Sequence, residues 1–356
     1  MPLPRSFLYV PANRDKFLEK AMGLPADALL FDLEDSVPAA EKEAARAGVR
    51  EYAPKATGER AWVRVNGLET GFAEADLDAV IGLKNLAGVF LPKIEHRDEV
   101  LRWDALIGKL ESQRGLAPNA TKLVLSIESA LGVLNSYDMA ISAQRVASTS
   151  FGGAQDGDLN TDLGCTWSLD GPEMLHARCH TLLCARAARI ETPLDGVFAN
   201  VRDPDGFEKD TALSRRLGFR GRKLIHPSQI EPCNRLYAPS QQELDYYARV
   251  IEAFDAARKA DPNATWCAAV DYYRGEALLR ANRVDDAVQS VANTPTNLPG
   301  YSQVVSPSMN SSDWTYSSGQ SYTDQDMLVG EGYWIYMQNS CTLAGFTITP
   351  LQPSLD

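Results

Sequence analysis

Short apolar, β-branched runs recur along the first part of the chain and alternate with stretches whose apolar positions return at helical spacing. The runs are residues 6–11 (SFLYVP), 28–35 (ALLFDLED), 61–66 (AWVRVN) and 88–94 (GVFLPKI). They continue with 122–128 (KLVLSIE), 148–153 (STSFGG), 196–201 (GVFANV) and 222–227 (RKLIHP), eight in all. Helical spacing marks the segments between them, among others 14–23, 39–52, 71–83 and 171–189. After the eighth run come 229–236 and the long 241–260.

Strands covered by helices on both faces read as near-continuous apolar runs, the habit of parallel sheets. Eight β–α units in this length match a closed (β/α)₈ TIM barrel, which takes roughly 250 residues. An open doubly wound sheet would want a Gly-rich phosphate turn after its first strand. Here that turn reads Pro11-Ala12-Asn13-Arg14, without glycine. The expectation is a barrel domain over residues 1–260 of the 356.

The pattern breaks after Ala260. Residues 261–293 read as a helical hairpin resembling one tetratricopeptide repeat, which cannot bury its own apolar face alone. Residues 294–356 are rich in Ser, Thr, Asn and Tyr and resemble a small β module found at the ends of archaeal surface and secreted proteins. Lysines stop at Lys259, and the segment beyond residue 260 carries a net charge of −7 out of −12.

That acidic balance excludes nucleic acid as the expected partner, because neutralising phosphates needs a basic face. No run reaches the roughly 18 apolar residues of a membrane span. The first residues lack the apolar stretch of a secretory signal, and the six cysteines show no C-x-x-C pair. A reducing, cytoplasmic setting is the expectation.

In a barrel the site lies at the C-terminal ends of the strands. The polar residues there are Asp32, Glu34 and Asp35; Arg64 and Asn66; Lys93 and Glu95; Glu128; Asp156 and Asp158; Asn200; and His226. Glu128 with Asp156 or Asp158, from neighbouring strand ends, could put two oxygens on one Mg²⁺ while water and substrate complete its octahedron. Arg64 carries a planar fork that can grip a substrate carboxylate. Metal plus arginine suits a 2-oxo acid, chelated through its carbonyl and carboxylate oxygens. Glu34 and Asp35 read as supports for Arg64 or helix caps, and Lys93 as a structural or a substrate-facing cation. His226 reads as a strand-end structural histidine.

RSFLYVPANR, LLFDLEDSVP, WVRVN, FLPKIE, LSIESALGV, FGGAQDGDLNTDLG, LDGVF and GFRGRKLIHPSQI together resemble, in order and spacing, the citrate lyase β-subunit and malyl-CoA lyase family. The resemblance covers about residues 5–260 and implies a Mg²⁺-dependent carbon–carbon lyase working on CoA thioesters, as a homo-oligomer (trimer or hexamer). It implies substrate binding by Arg64 and metal binding by Glu128. The metal aspartate falls on Asp158 when counted from the Asp-Leu motif and on Asp156 when counted from the Phe-Gly pair. It makes Arg5, Asn13 and Arg14 candidates for the CoA arm. The family's lid, with its G-K-M-x-D pattern and acid/base aspartate, has no counterpart here; Asp271 lies in that region outside any matching motif.

The leading expectation is therefore a CoA-ester lyase yielding an acyl-CoA and a 2-oxo acid. Alternatives are a metal-dependent aldolase on a free hydroxy-oxo acid, and a barrel retained as a binding module after loss of the lid.

Overall fold

The computed structural model describes residues 4–58, 60–260, 301–305, 315–317 and 334–337. The chain divides into two compact units, Met1–Ala238 and Pro239–Asp356.

The first unit is a closed barrel of eight parallel strands in sequential order. They are β1 (Ser6–Pro11), β2 (Ala28–Asp32), β3 (Ala61–Arg64), β4 (Leu86–Leu91), β5 (Lys122–Ile127), β6 (Val146–Phe151), β7 (Leu194–Asp195) and β8 (Gly221–Leu224). β1 pairs with both β2 and β8, which closes the ring and leaves no free edge.

Alternation along each strand splits the apolar residues between two cores. Leu8, Val10, Leu29, Phe31, Val63, Val89, Leu123 and Leu125 pack outward into the large core under the helices. Phe7, Ala28, Leu30, Trp62, Phe90, Val124 and Leu194 form a separate cluster inside the ring. There the rings of Phe7, Trp62 and Phe90 meet edge to face, with centroids 5.3 to 5.8 Å apart. Gly88 makes room for this plug, since a Cβ there would lie 2.6 Å from Trp62 Cζ3 and 2.4 Å from the Lys122 carbonyl. The plug fills the lower barrel, and the charged side chains of the interior gather above it.

The seventh strand departs from the sequence expectation of 196–201. β7 is Leu194–Asp195, and the chain leaves the ladder at Gly196. The cause is side-chain competition for the backbone. Asp195 Oδ1 accepts from the Gly196 amide at 2.9 Å, and Arg222 Nε and Nη2 donate to the Gly196 carbonyl at 3.1 and 2.9 Å. Asn200 consequently sits in a turn, its Oδ1 accepting from the Arg202 amide at 3.2 Å.

In the second unit the helix Gln241–Ala260 matches the expected span. Strands Thr315–Ser317 and Trp334–Met337 flank Tyr301–Val305 in an antiparallel sheet. The sequence break at 260 thus falls one helix after the boundary between compact units. The hairpin expected at 261–293, and Asp271 within it, lie outside the described residues. No described helix is long and apolar enough to cross a membrane.

Candidate active site

Above the aromatic plug, the inward register of the strands carries Tyr9, Asp32, Arg64, Ser126 and Lys223. Arg64 is the hub. Its Nε and Nη2 fork onto the two oxygens of Asp32 at 2.7 and 2.8 Å, and its Nη1 donates to Asp35 Oδ2 at 2.9 Å. Glu34 Oε2 also stands 2.7 Å from Nη1, and the Arg64 guanidinium carbon lies 4.7 Å from the centre of the Tyr9 ring. Glu34 and Asp35 therefore both contact Arg64. Asp32 holds the Nε/Nη2 edge of the fork in this structure. A rigid strand-end guanidinium within reach of three carboxylates has most of its donors committed.

Burial, with Asp35 and Glu128 nearby, pushes the Glu34 carboxyl up to about 8 despite the Arg64 cation. Asp32 is held below the usual range: burial works against its charge, and Arg64 outweighs it through attraction and hydrogen bonding.

Glu128 follows β5 and points to the same mouth, where Lys223 Nζ lies 3.3 Å from its Oε1. Gly152 keeps space for it, since a Cβ there would sit 2.4 Å from Glu128 Cγ. Burial by itself would lower the Lys223 pKa, but Tyr9 and Glu128 more than offset it and the net shift is upward. Asp158 opens the short helix Asp158–Leu163, and its Oδ2 pairs with Lys93 Nζ at 3.0 Å. Asp156 precedes it in a left-handed conformation (φ 56°), its amide bonded to Asn160 Oδ1 at 3.1 Å. Lys93 also has positive φ, at 50°. Such strained non-glycine residues concentrate at functional loops. Among the described residues, no three His, Cys, Asp or Glu side chains converge as a complete metal cage.

The Arg5 expectation is corrected. Arg5 precedes β1, at the pole opposite the mouth, and is tied to Asp27 at 2.7 Å and to the Asn234 carbonyl at 3.1 Å. Six extended residues separate it from the strand end, about 20 Å of chain. Asn13 and Arg14 do lie at the mouth end: Asn13 Nδ2 donates to Glu41, and Arg14 is exposed at the N-cap of the helix Asp15–Met22. His226 caps the turn Pro227–Gln229, with Nδ1 accepting from the Ser228 amide at 3.2 Å.

Sequence reasoning missed Lys223. The available signal was a lysine inside an otherwise strand-like run; a buried ammonium needs a specific partner. Its neighbour Arg222 points the other way, into a buried network with Asp210 at 2.7 Å, itself bound to Arg178 at 2.9 Å.

A closed parallel barrel with a charged, carboxylate-rich mouth defines a (β/α)₈ enzyme with its site at the strand C-termini. Residues 5–227 match the HpcH/HpaI aldolase/citrate lyase family, and the chain belongs to that family of lyases. It is 36% identical over 259 residues to the citrate lyase subunit beta of Leuconostoc mesenteroides subsp. cremoris, covering 72% of this chain and 84% of that one. A (3S)-malyl-CoA thioesterase of Cereibacter sphaeroides is 35% identical over 259 residues, with the same coverage. Among solved structures, the citrate lyase beta subunit of Mycobacterium tuberculosis complexed with oxaloacetate and magnesium aligns with a TM-score of 0.54. It is 28% identical and covers 66% of this chain and 97% of that one. The Mycobacterium tuberculosis protein CitE in complex with magnesium, acetoacetate and coenzyme A aligns at 0.56, 25% identical, covering 82% and 98%.

Proposed function

We propose that the chain is a Mg²⁺-dependent lyase that splits, or forms, a 3-hydroxyacyl-CoA thioester such as malyl-, citramalyl- or citryl-CoA. The products are an acyl-CoA and a 2-oxo acid. One observation carries the reading: Glu128 and Asp158 stand at the barrel mouth, each facing a lysine ammonium, at 3.3 and 3.0 Å. Mg²⁺ is usually held by one or two carboxylates and keeps several waters. Glu128 with Asp158 (or Asp156 on the same loop) fits that habit, as does the space that Gly152 leaves for Glu128.

When bound, the cation supplies Lewis-acid polarisation of the oxo-acid carbonyl. The chain's own residues would do the rest. Arg64, fixed by Asp32 and Tyr9, sets a positive charge beside the reacting end. Glu34, whose burial favours the protonated form, can act as a proton donor at the reacting end. Asn13 and Arg14 would meet the CoA arm. A cytoplasmic homo-oligomer goes with this reading, and light scattering on the eluted protein reads the oligomeric state.

A second reading, hydrolysis of a malyl-type thioester, has the thioesterase relatives in its favour. One assay separates the two. A panel of 3-hydroxyacyl-CoA thioesters, with Mg²⁺ or with chelator, should give acyl-CoA and a 2-oxo acid only when metal is present. Release of free CoA and an intact hydroxy acid would favour hydrolysis, and no turnover of any thioester would sink both readings.

A further inference from the structure

Three carboxylates reach Arg64 from one place in the chain: Asp32 ends β2, and Glu34 and Asp35 stand on the turn that follows. Asp32 holds two amides of that turn, those of Glu34 and Ser36, each at 3.1 Å. The carbonyls of the turn are held by a different residue. Lys42 Nζ donates to the Leu33 carbonyl at 2.6 Å and to the Glu34 carbonyl at 2.8 Å.

Lys42 breaks two local rules. It opens the helix Lys42–Tyr52, where the helix dipole favours anions over cations, and it is buried. A buried ammonium needs specific partners. Burial pulls its pKa down, and the Asp32 and Asp76 carboxylates offset this only in part. Violations of this kind fall at functional or strained places in a fold. Asn66 supports the same turn: its Nδ2 donates to the Leu33 carbonyl at 2.9 Å and to Asp76 Oδ2 at 2.6 Å, while Arg46 Nε holds Asp76 Oδ1 at 2.8 Å. The Val37 amide reaches the Glu34 carbonyl at 3.1 Å. Each carbonyl therefore keeps one donor without Lys42, so its removal loosens the turn rather than orphaning it.

We infer that Lys42 is a positioning residue of the mouth: by gripping the Leu33 and Glu34 carbonyls it holds Glu34 and Asp35 on Arg64 Nη1, at 2.7 and 2.9 Å. Its effect passes through the turn. Asp35 is more than half exposed, so water competes for its carboxylate once the turn loosens. The two carboxylates then leave Nη1, and Glu34 loses the place from which it serves as a proton donor. The inference rests on the lyase reading for the reaction affected, and on the hydrogen bonds alone for the positioning.

The test pairs kinetics with crystallography on the full chain, using Lys42→Met, a side chain of similar length without donors. With malyl-, citramalyl- and citryl-CoA in Mg²⁺, kcat should fall roughly ten- to a hundredfold, the scale of a misplaced group at a reacting centre, while KM stays nearly unchanged. Crystals of the variant should show Glu34 and Asp35 moved off Arg64 Nη1. Lys42→Gln, whose amide can serve one carbonyl, should fall between wild type and Lys42→Met, and it stands in if Lys42→Met does not fold. Carboxylates still on Arg64 Nη1 in the folded variant overturn the inference. So does an unchanged kcat, or a loss expressed in KM alone. A wild type that cleaves no thioester refutes the lyase, and the crystal structure of the variant then decides the positioning by itself.

Discussion

The Arg64 guanidinium forks onto the Asp32 carboxylate, Nε to Oδ1 at 2.7 Å and Nη2 to Oδ2 at 2.8 Å, with Asp32 itself only 1% exposed. Removing one partner of such a buried pair strands the other charge, which costs roughly 3–5 kcal/mol. Asp32→Ala should therefore lower unfolding free energy by about that amount and displace Arg64 from Tyr9. Arg64→Met combined with Asp32→Ala should recover part of the loss in a double-mutant cycle read by denaturant unfolding. Additive losses would mean that the pair is not coupled.

Glu128→Gln and Asp158→Asn should each weaken Mg²⁺ binding and abolish turnover. Asp158 is half exposed, so its change should leave the melting temperature nearly unchanged, whereas Glu128→Gln strands the buried Lys223 ammonium and should lower it. Asp156→Asn serves as the control for the loop register. If it is the damaging change and Asp158→Asn is silent, Asp156 is the metal ligand.

Glu34 predicts a pH dependence with a definite sign. Its carboxyl is raised from 4.5 to about 8 in the folded chain, so between those values the native state holds a proton that the unfolded state has released. Stability should fall as pH rises through that window and level off above it. Glu34→Gln cannot ionise, so in metal-free buffer its melting temperature should gain on wild type from pH 5 to 8. A constant gap across the range would place the Glu34 carboxyl at its ordinary value.

Gly152→Ala tests the space beside Glu128. The added Cβ would meet Glu128 Cγ at 2.4 Å and the Ile127 carbonyl at 2.8 Å, and backbone cannot yield as a flexible side chain does. The expected outcome is loss of Mg²⁺ affinity and of turnover together with a drop in melting temperature. Retained metal binding would show that Glu128 has another position open to it.

The tail gives the last prediction. Pro262 disfavours helix at Asp261, so the helix Gln241–Ala260 should be followed by a protease-sensitive segment. Limited proteolysis should cut near residue 260 and leave the barrel whole. Comparing turnover of the cut and intact protein then shows whether the tail supplies a catalytic group. Equal rates would mean that it supplies none.

The sequence alone determined the barrel. Apolar runs of six to eight residues separated by helical spacing carry enough period to count the strands, and β1 and the helix Gln241–Ala260 match their expected spans. It also determined which loops hold polar residues, because Glu128, Asp158, Lys93 and Arg64 each follow or end a strand. It could not settle the seventh strand, since Gly196 looks like any residue of an apolar run. Only in three dimensions do Asp195 and Arg222 take its backbone partners.

Nor could it say what each charge does. Arg5 and Arg14 flank the same strand in sequence, yet one lies at each pole of the barrel. Arg222 and Lys223 are adjacent, and a period of two sends one out to Asp210 and the other in to Glu128. Which of two neighbours faces the interior depends on strand register, fixed by pairings such as Phe7 with Lys223 across strands far apart in the chain. The type and approximate place of the charged residues were local facts. Their partners, and so the chemistry open to them, were decided by closure of the ring.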